Sequence, residues 1–249
     1  MTTETTSEEE FLKAYRPDKY ERPSVTVDIL VFTIRDGRLA LLLIRRKNHP
    51  YQGKWAIPGG FVDIAESAEA AAARELAEET GVTSVYLEQL YTFSEVNRDP
   101  RMRVISIAYL ALVPRSALLI HAGSDAKEAG LFTLADGQFI SEEKGITLTH
   151  ADFAFDHARI INMGIDRLKS KLAYTDIAFE MLGDKHRFTL TELCSVHEAI
   201  LGVPVHKSNF RRDFQRRYLL PGRAEKLDEL CYSRGKPSSY YSYNEQKED

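Results

Sequence analysis

The residues in this chain best suited to chemistry are carboxylates spaced along one short segment. Gly60 is followed, after five intervening residues, by Glu66, and after seven more by Arg74-Glu75-Leu76-Ala77-Glu78-Glu79-Thr80-Gly81-Val82. On an α-helix Glu75 and Glu79 stand four apart on one face, with Glu78 beside them at three. Like charges at those spacings cost a helix roughly a few tenths of a kcal/mol per pair. A hard cation among the oxygens would remove that cost, and Mg²⁺ or Mn²⁺ suits carboxylates. Arg74 is placed to orient or neutralise part of the cluster, and Gly59-Gly60 lets backbone approach it closely. A solvated acidic helix is the competing reading for any isolated acidic run. Here seven fixed letters and two apolar positions must be explained together. At average residue frequencies they coincide by chance on the order of once in 10⁹ starts, so solvation alone does not account for them.

A second set of residues carries the opposite charge. Thr191 to Leu201 presents Leu193, Val196, Ile200 and Leu201 at helical spacing, with Thr189 or Thr191 as N-cap. After the Gly202-Val203-Pro204 break, Lys207 to Leu219 reads as a second helix burying Phe210, Phe214 and Tyr218. At about 100° per residue its opposite face carries Ser208, Asn209, Arg212, Gln215 and Arg216, with Arg211 and Arg217 nearer the edges and Lys207 at the start. Five Lys/Arg against one acid, Asp213, lie between His206 and Arg217. That local reversal of sign is the footprint of phosphate binding. Two helices across a tight turn form a helix-turn-helix pattern. Arg, Asn and Gln are the side chains that pair with base edges in the major groove. Arg234-Gly235-Lys236 would sit at the tip of a trailing hairpin, a wing. On spacing alone, a solvated cationic helix is an equal alternative.

The elements that must position these residues follow from pattern. Ser24 to Ile34 is a β-branched run ending at Asp36-Gly37, a hairpin signal, with Leu39 to Ile44 as the partner strand. Trp55 to Val62 is an apolar run interrupted by Pro58-Gly59-Gly60. Ala65 to Thr80 reads as helix, alanine-rich and closed by Gly81. Strands are expected at Ser84 to Phe93 and Val104 to Val113, and a helix from about Asp152 to Leu172. His150 and His157, with no metal-type spacing, are read as structural. The expected domains are a tail or helix over 1–23, an α/β domain over 24–175, a helix-turn-helix domain over 176–244 and a short tail over 245–249.

Composition bounds the function classes. The chain has 249 residues, 43% apolar and 28% charged, which excludes wholesale disorder. Its net charge of −4 argues against a uniformly basic nucleic-acid binder but permits a local patch. The longest apolar stretch, Ile107 to Val113, is far short of the ~20 residues of a membrane span. The acidic start, MTTETTSEEE, gives no secretory signal. Cys194 and Cys231 cannot build a disulfide framework, and both are expected to be reduced thiols of a cytoplasmic protein.

Residues 60–82 match the Nudix box at every defining position, so the chain resembles the Nudix superfamily over roughly 24–170. The resemblance implies an α/β/α sandwich whose loop–helix–loop holds divalent metal against a diphosphate. Glu75, Glu78 and Glu79 would bind the metal with help from the Gly59 carbonyl. Catalysis would rest on Glu75 and Glu79 with Arg74 orienting Glu75, while Glu66 and Gly60 shape the loop. The chemistry would be water attack on phosphorus, with metal neutralising phosphate charge and lowering the pKa of the water. RRKNHPYQGKWAIPGGFVD and NRDPRMRVISIAYLALVP are similar to Nudix proteins that handle ADP-ribose. They make Arg45, Arg46, Lys47, Arg98 and Arg101 candidates for phosphate contact, beside Gly59 and Gly60. Tyr51 or Trp55 is a candidate to stack on adenine, although Trp55 and Phe61 read more readily as core.

ELCSVHEAILGVPVHKSNFRRDF, joined to a Nudix domain, is similar to the Nudix-related transcriptional regulators of NAD metabolism. That resemblance implies a winged helix with Lys207, Ser208, Asn209, Arg211, Arg212, Gln215, Arg216, Arg234 and Lys236 toward DNA. It further implies a homodimeric repressor of NAD-biosynthesis genes that binds a palindromic operator and is released by ADP-ribose. Members of the group often carry degenerate boxes, whereas this box is intact, which leaves Mg²⁺- or Mn²⁺-dependent ADP-ribose hydrolysis open. The alternative is an ADP-ribose pyrophosphatase whose C-terminal domain serves dimerisation or partner binding. Related regulators that sense sugars leave the effector open as well.

Overall fold

A computed structural model describes residues 7–83, 85–120, 126–232 and 237–245. The first helix, α1 (Glu8–Ala14), is closed by a capping box between Ser7 and Glu10 and buries nothing. Phe11 and Leu12 on it, and Tyr15 just after it, stay exposed. β1 (Ser24–Arg35) and β2 (Arg38–Arg46) form the expected hairpin, with Asp36 at φ 51° and Gly37 at φ 72° making the turn. The broken apolar run becomes two short strands, β3 (Trp55–Ala56) on β2 and β4 (Gly59–Phe61) on β1.

Helix α2 (Ala68–Thr80) starts three residues later than composition suggests. The reason is local. Glu66 accepts a hydrogen bond from the Asp63 backbone N–H at 2.9 Å, and Ser67 caps the helix by accepting from Ala70 N–H at 3.2 Å. Residues 65–67 therefore belong to the loop. Gly81, at φ 69°, ends the helix as expected.

β5 (Tyr86–Phe93), β6 (Val104–Leu112), β7 (Ala126–Ala135), β8 (Gln138–Ser141) and β9 (Ile146–Leu148) complete a mixed sheet of order β5-β6-β1-β2-β7-β8-β9. β1 runs parallel to β6 and antiparallel to its other neighbours. Alternate residues of β1 point to opposite faces. Val27, Ile29 and Val31 pack under Ala71, Ala72 and Leu76 of α2. Leu30 and Phe32 pack under Ile160, Ile161, Ile165 and Leu168 of α3 (His157–Lys171). The result is an α/β/α sandwich, each helix layer held by the apolar stripe its sequence supplies. Burying Leu76 alone contributes about 1.5–3 kcal/mol.

Beyond α3, a turn of 3₁₀ helix (Ile177–Met181) leads to β10 (Phe188–Thr189), α4 (Leu190–Leu201), α5 (Lys207–Phe214) and the hairpin of β11 (Ala224–Cys231) and β12 (Ser238–Tyr243). Thr189 caps α4 through a reciprocal box with Glu192, and Gly202 closes it at φ 74°. The sheet order is β10-β12-β11, the topology of a winged helix. Its aromatic core centres on Phe179, stacked on Tyr243 at 4.0 Å and 12° and edge-on to Phe188 and Tyr218. This core is continuous with the α3 face of the sandwich through Leu172, Leu193 and Val196. Cys194 is buried, Cys231 is half-buried, and both are free thiols. Among the described residues no helix is long and apolar enough to cross a membrane.

Candidate functional site

The carboxylate helix and the Gly59-Gly60 strand meet in the way the spacing requires. A Cβ on Gly60 would fall within 2.6 Å of the Glu75 carboxylate carbon, so only glycine allows the contact. Arg74 ties the cluster together. Its Nε and Nη2 donate to both oxygens of Glu66 at 3.2 and 2.8 Å, Nη1 donates to Glu75 Oε1 at 2.7 Å, and Nη2 reaches the Phe61 carbonyl at 3.3 Å. Glu78 lies 3.5 Å from the same guanidinium. Glu66 and Glu75 raise the Arg74 pKa, and Arg74 holds Glu66 below the usual carboxylate range. Burial pushes Glu75 up, against the lowering effect of Arg74.

Glu79 is 8% exposed, whereas the Glu78 side chain is 59% exposed. The donors fit a hard cation chemically: three carboxylates beside a backbone that Gly60 brings close. They do not form a finished cage, since among the described residues no three Asp, Glu, His or Cys side chains are drawn together for a metal.

Beside the box lies a cleft of about 130 Å³ bounded by Thr26, Asp28, Arg46, Gly59, Gly60, Phe61, Arg98, Arg101, Phe155 and His157 among others. Of the candidate ligand residues, Arg46, Gly59, Gly60, Arg98 and Arg101 line it. Arg45 and Lys47 do not. The Arg45 guanidinium turns to the Gly53 carbonyl at 3.0 Å and to Glu128 at 3.7 Å, and Lys47 is exposed in the following turn. Arg98 is no loose phosphate ligand either. Its side chain is 4% exposed, grips Asp156 at 3.1 and 2.7 Å and reaches Asp28 at 3.4 Å. Arg101 pairs with Asp99 at 2.8 Å and lies over the Phe61 ring at 5.8 Å.

The expectations for the aromatic residues divide. Trp55 is core, edge-on to Phe132 at 4.6 Å, and so offers no stacking platform. Phe61, expected in the core, is 43% exposed at the cleft wall, because its strand neighbours are the glycines that pack against β1. Tyr51 packs edge-on against Phe155 at 4.8 Å, and Arg46 lies over the Phe155 ring at 4.9 Å. Phe155, Asp28 and Asp156 escaped sequence reading. An acid in the middle of the β-branched run of β1 was the available signal for Asp28.

His157 is structural, as expected. Its Nδ1 accepts the Ile57 N–H at 3.1 Å, which leaves the proton on Nε2, 3.6 Å from Asp28 Oδ1. Burial pushes its pKa down, so the ring is neutral. His150 pairs with Asn162 at 3.2 Å.

In the winged helix, Lys207, Ser208, Asn209, Arg211, Arg212, Gln215 and Arg216 are all exposed on one element while Phe214 and Tyr218 are buried beneath it. The helix is not uniform to Leu219. Gln215–Leu219 is a π turn in which Leu220 N–H reaches the Gln215 carbonyl at 3.0 Å. Arg212 is steadied by Asn209 at 3.1 Å and Arg216 by Asp213 at 3.0 Å. Arg234 and Lys236, expected at the wing tip, lie outside the described residues.

Residues 23–153 match the family model described as NUDIX domain, and residues 178–243 match the NrtR DNA-binding winged helix domain. The chain is 33% identical over 239 residues, 95% of its length and 88% of the relative's, to the "ADPR responsive transcriptional repressor NtrR" of Acinetobacter baylyi. Among solved structures it is similar to Shewanella oneidensis NrtR complexed with a 27mer DNA, with a TM-score of 0.72, 34% identity, and 88% and 93% of the two chains covered. It is also similar to the Nudix domain of that protein complexed with ADP ribose, with a TM-score of 0.54, 34% identity, and 66% and 99% of the two chains covered.

Proposed function

Because the chain belongs to the Nudix family and carries an NrtR-type winged helix, we propose that it is a DNA-binding repressor of NAD-biosynthesis genes. It senses ADP-ribose in the Nudix cleft and releases a palindromic operator when the ligand binds. The observation that carries this reading is the continuity between the two sites. α3 begins in the cleft, where Asp156 is gripped by Arg98 and His157 takes the Ile57 N–H. Its far end, Leu168 and Leu172, sits in the apolar core that supports α4 and the recognition helix. Fifteen residues at 1.5 Å each make it a rod of about 22 Å. A diphosphate competing with Asp156 for Arg98 would therefore act on an element that the winged helix rests on.

For release, ADP-ribose must favour the arrangement that fits DNA badly, since equal affinity for both shifts nothing. In a homodimer of this chain the two recognition helices match successive major grooves only at ~34–36 Å separation, so a small change in domain angle suffices. The protein would work in the cytoplasm, where its operator lies.

The site also favours a second reading, in which the chain hydrolyses ADP-ribose. The Glu66–Arg74–Glu75 chain of hydrogen bonds is complete, with Glu78 and Glu79 alongside. Glu75, Glu78 and Glu79, with the Gly59 carbonyl, would hold Mg²⁺ or Mn²⁺. Glu78 would leave Arg74 for the cation, which its exposure permits. The metal would neutralise phosphate charge and acidify a water. Arg74 keeps Glu75 oriented, and Gly60 keeps the backbone against it.

Fluorescence anisotropy on an operator selected from random duplexes tests the first reading. ADP-ribose should release the DNA. Unchanged anisotropy at saturating ADP-ribose would remove ADP-ribose as effector, and turnover without DNA binding would leave the pyrophosphatase.

A further inference from the structure

A cavity of about 350 Å³ lies between α4 and the recognition helix, remote from the Nudix cleft. That volume is within the range of small-molecule sites. Leu193 and Leu201 of α4 form one wall, and Phe210 and Phe214 form the other. The slot is mainly apolar. Its polar lining is His197, His206, Asn209, Asp213, Arg217 and Tyr218.

Arg217 carries a charge that no acid answers among the described residues; its guanidinium lies over the Tyr218 ring at 5.4 Å. Its hydrogen bond is a long one, 3.5 Å to the Thr175 carbonyl, and among the described residues no carboxylate lies within 4 Å of it. Asp213, which also lines the slot, is paired with Arg216 at 3.0 Å. The ring nitrogens of His197 make no hydrogen bond among the described residues, and the ring sits edge-on to Phe210 at 5.0 Å and 72°. Burial and the Arg217 charge push its pKa down to about 4, so it is neutral and offers one donor and one acceptor. Arg217 itself lies in the π turn Gln215–Leu219 that follows the recognition helix, a form that often marks functional sites.

We propose that this cavity is a second ligand site, built for a small aromatic carboxylate. The aromatic body lies against Phe210 and Phe214. The carboxylate takes the guanidinium fork of Arg217, which presents paired donors to two oxygens, and a hydrogen bond from His197. An occupant there sets the spacing of α4 and the recognition helix and so is felt at the DNA face. Binding itself does not depend on the effector assigned to the Nudix cleft.

The test uses the full chain with benzoate as probe and benzamide as its uncharged counterpart, read by calorimetry and by the NMR signals of the His197 ring. Benzoate should bind saturably and about tenfold more tightly than benzamide, and the His197 pKa should rise from about 4 as the anion arrives. Arg217→Met should bring benzoate down to the benzamide level. Should that variant not fold, Leu201→Trp, which fills the slot without altering charge, should abolish binding of both probes. No saturable binding at millimolar benzoate would overturn the proposal. So would equal benzoate affinity in Arg217→Met and the parent, displacement of benzoate by ADP-ribose competing for one site, or closure of the cavity by a second copy as protein concentration rises.

Discussion

Gly59 and Gly60 are adjacent, yet the structure predicts opposite consequences for alanine at each. At Gly60 the new methyl meets the Glu75 carboxylate, with the carboxylate carbon at 2.6 Å, whereas ordinary contact begins at 3.4 Å. The carboxylate must therefore retreat by about 0.8 Å or more, and as the far end of a flexible side chain it can do so. It would give up its 2.7 Å bond from Arg74, which still keeps both bonds to Glu66. Folding should be spared. Metal affinity should not be: moving an oriented ligand group typically costs about 10–100-fold.

At Gly59 the methyl meets backbone instead, the Val27 carbonyl and Asp28 Cα at 3.0 Å or less, inside the β1–β4 pairing. Backbone has nowhere cheap to go. Overpacking of this kind costs about 1–3 kcal/mol, a fall in Tm of roughly 2–12 °C for a chain of this size. Mn²⁺ calorimetry and thermal melts of both variants separate the two effects. If Gly60→Ala binds Mn²⁺ like the parent, Glu75 is not a metal ligand. If Gly59→Ala melts like the parent, the close strand contact is wrong.

Glu79→Gln should weaken Mg²⁺ or Mn²⁺ binding and Glu75→Gln should remove any ADP-ribose hydrolysis, and calorimetry with phosphate release checks both. Arg212→Ala and Arg216→Ala, exposed above the buried Phe214, should each cost ~1–3 kcal/mol of operator binding where the side chain reads a base, or lower the salt slope by about 1 where it touches phosphate. Unchanged binding in the folded double variant would mean another surface reads the DNA. The half-buried His197 should make stability depend on acid: its folded-state pKa of about 4 is below the unfolded 6.5, so the unfolded chain takes the proton first as pH falls. The stabilisation is full above about pH 6.5 and fades toward pH 4, by about 3 kcal/mol in total. Urea melts of His197→Leu should lack that slope, and an identical slope in both proteins would contradict the burial.

The parts of the fold that could be read in advance are those with strong local punctuation. α2 has an alanine-rich body and a left-handed Gly81, and α4 has its Thr189 cap and Gly202. The hairpin at Asp36-Gly37 announced β1 and β2, yet the same signal at Asp136-Gly137, between LFTL and QFI, passed unread. Among the residues of β7 whose burial is described, the buried run is Gly130 to Thr133, so its apolar stretch is short. The carboxylate helix was legible because it is contiguous. The cleft was not, because Asp28, Arg98 and Asp156 meet only after β1, the loop before β6 and the start of α3 are brought together. A buried arginine between two acids looks, in sequence, like any surface arginine.

The proposed function couples a ligand in the Nudix cleft to DNA on the recognition helix within one chain. Linkage makes the coupling reciprocal: if ADP-ribose weakens operator affinity by some factor, saturating operator must weaken ADP-ribose affinity by the same factor. The most direct measurement is calorimetric titration of ADP-ribose into the full chain alone and into its operator complex. ADP-ribose should bind the complex more weakly, by a factor equal to the loss of operator affinity at saturating ADP-ribose. Equal ADP-ribose affinity with and without operator would contradict the coupling.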